Sequence, residues 1–280
     1  MTKKSGRWRT RVVIVSMIAF GLGLALAPAA DARPAKTGGG YDVSYPQCGR
    51  ALPSSPTFGI VGVNNGILYS SNPCLTTQLA WAQRAANHAP AFYANTANPG
   101  PAYSSHWPTG QTTPKVCDAA ANNSTACSYD YGWNGAQDSF AIAVNAEQQV
   151  NGTSVTSATA AAAAAPWWLD VETSNSWQTL ESAYGQTPSS KANDAAALEG
   201  AVAYLHSVGV ARVGFYSTAY QWGQITGGTG SQFASLPDWV AGYGSLSAAK
   251  AGCSAAGFAG GPVKLTQYPS NGFDGDYACP

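Results

Sequence analysis

Charge is what this sequence has least of. Among its 280 residues only 14 are Lys or Arg and 14 are Asp or Glu, so charged side chains make up 10% of the chain. Without a basic stripe there is nothing to neutralise a run of phosphates, which excludes nucleic acid as a partner. Histidine occurs three times. His88 and His206 fall near the C-terminal ends of expected helices, where the helix dipole suits a ring that can carry positive charge, and His106 falls in an expected loop. No cysteine pair has the C-x-x-C spacing of a metal clip. No G-x-S-x-G elbow is present, so a serine hydrolase is not indicated.

Long apolar runs are also lacking. The longest, Val12–Ala27, is shorter than the ~20 residues that span a bilayer. It follows a basic patch (Lys3, Lys4, Arg7, Arg9, Arg11) and precedes Ala30-Asp31-Ala32, an A-x-A cleavage pattern. That order is the order of a secretory signal peptide, so residues 1–32 are set apart from the fold, and Gly21 and Gly23 within them form no nucleotide loop. Removing them takes away five of the 14 bases and one of the 14 acids, leaving 9 against 13 and a formal charge of −4. An acidic, base-poor chain has no stable attraction to anionic lipid once the signal is gone. Cys48, Cys74, Cys117, Cys127, Cys253 and Cys279 remain, an even count that in an exported chain implies disulfides. Six cysteines allow 15 connectivities. Sequence proximity and loop-closure entropy favour 48–74, 117–127 and 253–279.

The mature chain, roughly 240 residues, suits one large domain. The only glycine-run linker is Gly38–Gly40, which places a linker at 33–40 and one domain at 41–280. Strands are expected at Tyr41–Tyr45, Phe58–Asn64, Pro90–Asn95, Trp167–Glu172 and Ala211–Ser217, with helices at Leu75–Asn87, Gln137–Val150 and Ala192–Ser207. The alanine tract Ala160–Ala165 leads into the fourth strand. Three more strands, Trp239–Ala241, Lys264–Gln267 and Phe273–Tyr277, are too closely spaced for full helices between them. Strands separated by helices form parallel β/α units. Eight of them with thinning helices imply an α/β, TIM-like (β/α) barrel with an irregular second half; an open doubly wound sheet is the alternative.

In such a barrel the chemistry sits at the C-terminal ends of the strands. Residues i and i+2 of a strand share a face, so Asp170 and Glu172 both project into the mouth. Asp42 on the first strand and Asp274 and Asp276 on the last are expected at the same rim. Tyr93, Tyr216, Trp239, Tyr243 and Tyr268 are expected to line it. Carboxylates ringed by aromatics suit a glycan: one protonated acid serves the leaving oxygen, a second carboxylate handles charge at the anomeric carbon, and flat rings stack on sugar faces. Crowding of like charges keeps one of the acids protonated.

Together these motifs resemble the glycoside hydrolase family 25 muramidases, secreted lysozymes that cut peptidoglycan. The opening G-x-D-V-S-x-x-Q-G motif of that family is matched by Gly40 through Gln47, with Cys48 in place of the last glycine. The D-x-E strand is matched by Asp170-Val171-Glu172, and the hydrophobic-Y-[ST] strand by Phe215-Tyr216-Ser217. Trp239-Val240-Ala241-Gly242-Tyr243 is similar to W-x-A-x-Y, and Gln267-Tyr268 with Phe273-Asp274-Gly275-Asp276 is similar to the closing motif. The resemblance runs in order along the whole mature chain. It implies a (β/α)5β3 barrel, Glu172 as general acid and Asp170 assisting through the 2-acetamido group. It also implies Asp42, Asp274, Asp276 and Gln267 in substrate binding, with no metal or organic cofactor.

The chain departs from that pattern in places. Gly62, Val63 and Asn64 stand where the family carries a base and a hydroxyl, and Tyr93-Ala94-Asn95 stands where it carries Tyr-His. An insertion, about Thr96–Trp133, is long enough to reshape the cleft. A chitinase-like barrel would need another acid at Trp168. The expectation is therefore a secreted glycosidase acting on a polysaccharide, with a non-catalytic cell-wall-binding barrel as the rival.

Overall fold

The computed structural model describes residues 39–228 and 231–280; the expected signal peptide and most of the expected linker lie outside the described residues. The strands are β1 (Gly39–Val43), β2 (Gly59–Gly62), β3 (Ala91–Asn95), β4 (Trp167–Asp170), β5 (Val213–Ser217), β6 (Asp238–Val240), β7 (Val263–Ser270) and β8 (Phe273–Ala278). They close into one barrel in chain order, which rules out the open sheet. Between them lie α1 (Leu75–Gln83), α2 (Thr125–Asn151), α3 (Val155–Ala164), α4 (Pro188–Ser207), α5 (Ala219–Thr226) and α6 (Leu246–Gly252). The helices do thin out: α5 has 8 residues and α6 has 7. β1 opens at Gly39, so the last two residues of the expected linker belong to the sheet.

One strand runs against the others. β1 to β7 are parallel neighbours, but β8 is antiparallel to both β7 and β1. Asn271 and Gly272, both at positive φ (54° and 77°), make the two-residue turn that reverses the chain. Asp274 therefore reaches the rim from the start of its strand rather than the end, opposite Asp42 in the register.

Side chains alternate between two cores. Ile60, Trp168, Trp239 and Leu265 fill the barrel interior, while Val61, Phe92, Trp167, Leu169 and Phe215 face the helical shell. The interior rings need space that glycine supplies. A Cβ at Gly62 would stand 2.5 Å from the Tyr93 ring, and one at Gly214 would stand 2.4 Å from the Trp168 ring.

Close helix packing explains a missed boundary. α2 starts at Thr125, twelve residues ahead of the expected Gln137, with the Ser124 hydroxyl capping Cys127 N–H at 3.3 Å. Gly132 and Gly200 disfavour helix in sequence. Here they let α2 and α4 touch backbone to backbone: a Cβ at Gly132 would sit 1.8 Å from the Ala197 carbonyl oxygen, and one at Gly200 1.9 Å from that of Tyr129. The alanine tract is likewise helical up to Ala164, where it forms the second half of α3. Of the expected insertion, residues 96–124 form the loop and the rest begins α2.

The cysteines pair as proximity favours: Cys48–Cys74, Cys117–Cys127 and Cys253–Cys279. The first ties the turn after β1 to the start of α1. The second closes the insertion onto α2, and the third joins the end of α6 to the chain after β8.

Candidate active site

At the C-terminal ends of the parallel strands the rim encloses a cleft of about 440 Å³. Eight expected residues line it: Asp42, Asp170, Glu172, Asp274, Tyr93, Tyr216, Trp239 and Gln267. A second hollow, about 530 Å³, opens at the other end of the barrel among Phe58, Ile60, Trp168, Leu265 and Ala278. Among the described residues that hollow has no carboxyl in its lining, so it lacks the acid pair of a glycosidase. Among the described residues no Lys, Arg or His lines the upper cleft. Among the described residues no group of three or more His, Cys, Asp or Glu could hold a metal, and no helix is long and apolar enough to cross a membrane.

Three expected residues are not in the lining. Asp276 points inward two residues further along β8 than Asp274, which puts it beneath the cleft floor, fully buried. Tyr243 lies beyond the end of β6, after Gly242 (φ 91°) has turned the chain, and its ring lies against Gly252 of α6. Tyr268 follows the inward-facing Gln267 and by strand alternation faces out.

Asp170 is the last residue of β4, and the ladder runs one step further through Val171 N–H to the Tyr216 carbonyl (2.9 Å). Glu172 thus shares the inward face of Asp170. The turn beyond is locked: Asn175 N–H and Trp177 Nε1–H both donate to the Glu172 carbonyl, at 3.1 and 2.9 Å. Asn95 Nδ2 donates to Asp170 Oδ2 at 2.6 Å, while the buried Asp170 Oδ1 has no hydrogen-bond partner. Burial, then the neighbouring Glu172, pushes Asp170 well above the usual carboxylate range. Glu172 is also raised by burial, opposed by the Gln221 amide and by Asp170. Gln221 is oriented by Thr173, whose N–H and hydroxyl donate to its Oε1 at 2.6 and 3.0 Å; that leaves its amide N–H groups for Glu172.

The opposite wall is a relay. Tyr216 OH donates to Gln267 Oε1 (2.8 Å), which fixes the amide so that Nε2 donates to Asp42 Oδ2 (3.0 Å). Burial and then the Asp274 charge push Asp42 up to about 7. Asp274 is raised by burial. Burial, then the Asp42 charge, holds Asp276 well above its ordinary value, and neither of its oxygens has a hydrogen-bond partner. A carboxyl in that position is stable as the neutral acid.

Sequence reasoning missed Asn95, Asn175, Ser44 and Tyr45, which also line the cleft, and Gln221 behind Glu172. Asn95 was within reach, because it stands two residues after Tyr93 on the same face of β3. The insertion, in contrast, stays out of the cleft: none of the described residues 96–124 lines it. It packs on the segment after β4 instead, through Asn98 N–H to Ser176 O (2.8 Å) and Ala102 N–H to the Tyr184 hydroxyl (3.0 Å).

No protein-family model and no curated protein matches the chain. Solved structures do. A muramidase from Trichobolus zukalii is 16% identical with a TM-score of 0.53, over 86% of this chain and 93% of that one. The spore cortex lytic enzyme SleM of Clostridium perfringens is 15% identical with a TM-score of 0.51, over 86% of this chain and 67% of that one. A family GH25 lysozyme from Aspergillus fumigatus is 15% identical with a TM-score of 0.48, over 86% and 93%. At these identities the likeness is one of fold: this is a barrel like those of the muramidase and the spore cortex lytic enzyme.

Proposed function

We propose that this chain is an exported glycoside hydrolase that cleaves the glycan strands of peptidoglycan, with Glu172 as general acid and Asp170 as its assistant. The observation that carries the reading is the pair formed by buried Asp170 and half-buried Glu172 at the end of β4, facing Asp42 and Asp274 across a cleft in which no described Lys, Arg or His takes part. Three disulfides support export to an oxidising compartment, and the signal pattern at 1–32 supplies the route.

In this reading Glu172 gives its proton to the glycosidic oxygen as the bond to the anomeric carbon breaks. The carbonyl oxygen of the 2-acetamido group closes on that carbon, and ionised Asp170 accepts the acetamido N–H and offsets the positive charge. Water then attacks the anomeric carbon, losing its proton to the Glu172 carboxylate, and the acetamido group is released unchanged. Like charges so close cannot both ionise near neutral pH, so the pair holds one proton. In the empty cleft burial draws it to Asp170. An acetamido N–H set against Asp170 favours the ionised form there and leaves the proton on Glu172, where it is used. Asp42 and Asp274 hold hydroxyl groups of the sugar, and Tyr93 and Tyr216 flank it over a floor made by Trp239. Asp276 acts through Asp42.

Purified cell walls test the reading directly. The wild-type protein should release reducing ends that terminate in muramic acid. Sedimentation with walls and no release of reducing ends is the result of a binding-only barrel and rejects the proposal.

A further inference from the structure

Tyr45 is 42% exposed, yet the backbone that carries it is tied at several points. It opens a one-turn 3-10 helix, Tyr45–Gln47, directly after β1, with Pro46 restricting the backbone. Ser44 N–H donates to Gln47 Oε1 (2.9 Å), and Gln78 Nε2 of α1 donates to the Ser44 carbonyl (2.6 Å). Cys48 at the end of the turn is tied to Cys74. The ring lies against Gly66, whose φ is 80° and where a Cβ would stand 2.7 Å from Tyr45 Cε1. Gly66 in turn sits in a loop closed on itself, with Asn64 Nδ2 donating to Ser70 O and Asn65 N–H to Ser70 Oγ, both at 2.9 Å.

Tyr45, Pro46 and Gly66 line the same cleft as the carboxylates. A flat apolar ring with a polar edge, immobilised before any ligand arrives, gives up little conformational entropy on binding. Four carboxylates without a cation in the lining favour a neutral ring over an acidic peptide. We propose that Tyr45 is a preformed stacking platform for a second sugar ring of the glycan, next to the ring that meets Glu172. This rests on the glycan reading of the cleft.

The test measures binding of soluble cell-wall glycan fragments to the Glu172→Gln protein, so that nothing is cut. Tyr45→Ala should weaken a tetrasaccharide about tenfold, the equivalent of about 1.4 kcal/mol, and a disaccharide by less. Tyr45→Phe should bind as the parent does, and Tyr45→Leu, apolar but not flat, should lose nearly as much as Tyr45→Ala. Circular dichroism confirms that each variant is folded, and Tyr45→Leu decides the matter where Tyr45→Ala does not fold. Unchanged tetrasaccharide binding in Tyr45→Ala or Tyr45→Leu overturns the platform. So does a loss in Tyr45→Phe equal to that in Tyr45→Ala, or a parent that binds no glycan. Failure of the proposed activity looks different: the wild type then releases no reducing ends while Tyr45-dependent binding persists.

Discussion

Gln267→Leu should cost more stability in alkaline than in acidic solution. Leucine keeps most of the volume of glutamine but removes the donor to Asp42 Oδ2 (3.0 Å) and the acceptor for Tyr216 OH (2.8 Å). Asp42 is 7% exposed and titrates at about 7, pushed there first by burial and then by Asp274. At pH 5 it is neutral, and a neutral hydrogen bond contributes about 1 kcal/mol. At pH 8.5 it is ionised, and a bond to a buried charge contributes about 2 kcal/mol. The lost Tyr216 bond adds about 1 kcal/mol at either pH. For a domain of this size 1 kcal/mol moves Tm by about 2–4 °C, so the loss should be about 6 °C at pH 5 and about 9 °C at pH 8.5. The sign follows from linkage. Losing the donor raises the folded-state pKa of Asp42 further above its unfolded value, and such a carboxyl loses stability as pH rises. Thermal melts followed by circular dichroism at the two pH values measure it. Equal losses, or a smaller loss at pH 8.5, refute the relay.

Two further outcomes can be checked with the same material. Gln221→Leu removes the amide that favours ionised Glu172, so the alkaline limb of kcat/KM should move to higher pH; a ¹³C NMR titration of the Glu172 carboxyl should show the same direction, and an unchanged or lower value contradicts it. Burial pushes Asp42, Asp194 and Asp238 up to about 7 from 3.8; the unfolded chain therefore releases these protons from about pH 4 while the folded one keeps them to about 7. The stability they contribute in acid is lost across that window, so the protein should melt higher at pH 5 than at pH 7.5, and the reverse order contradicts the assignment.

Strand positions were readable because each is a short apolar run between breakers, and the period of two put Asp170 and Glu172 on one face. The direction of β8 was not read, although Asn271-Gly272 is a strong hairpin signal, because the parallel pattern upstream was carried through to the end. That error left Asp274 at the correct rim but brought Asp276 out of the interior, where it belongs. The start of α2 was hidden by Gly132, whose propensity argues against helix and whose role appears only when α4 is laid against it. Charged residues of the cleft stood out in a chain so poor in charge. Asn95 and Gln221 did not, because an amide acquires meaning only from the carboxyl it faces.

The central claim is that Glu172 is the proton donor in a glycan-cleaving cleft. Glu172→Gln keeps the shape and hydrogen-bonding reach of the side chain and removes the proton. Release of reducing ends from purified cell walls should fall by roughly 10²–10⁴ relative to wild type, with Tm unchanged or slightly higher, since one like charge leaves a crowded acidic mouth. A Glu172→Gln protein that turns over walls at the wild-type rate, or that loses stability while its folded fraction keeps full activity, contradicts the assignment.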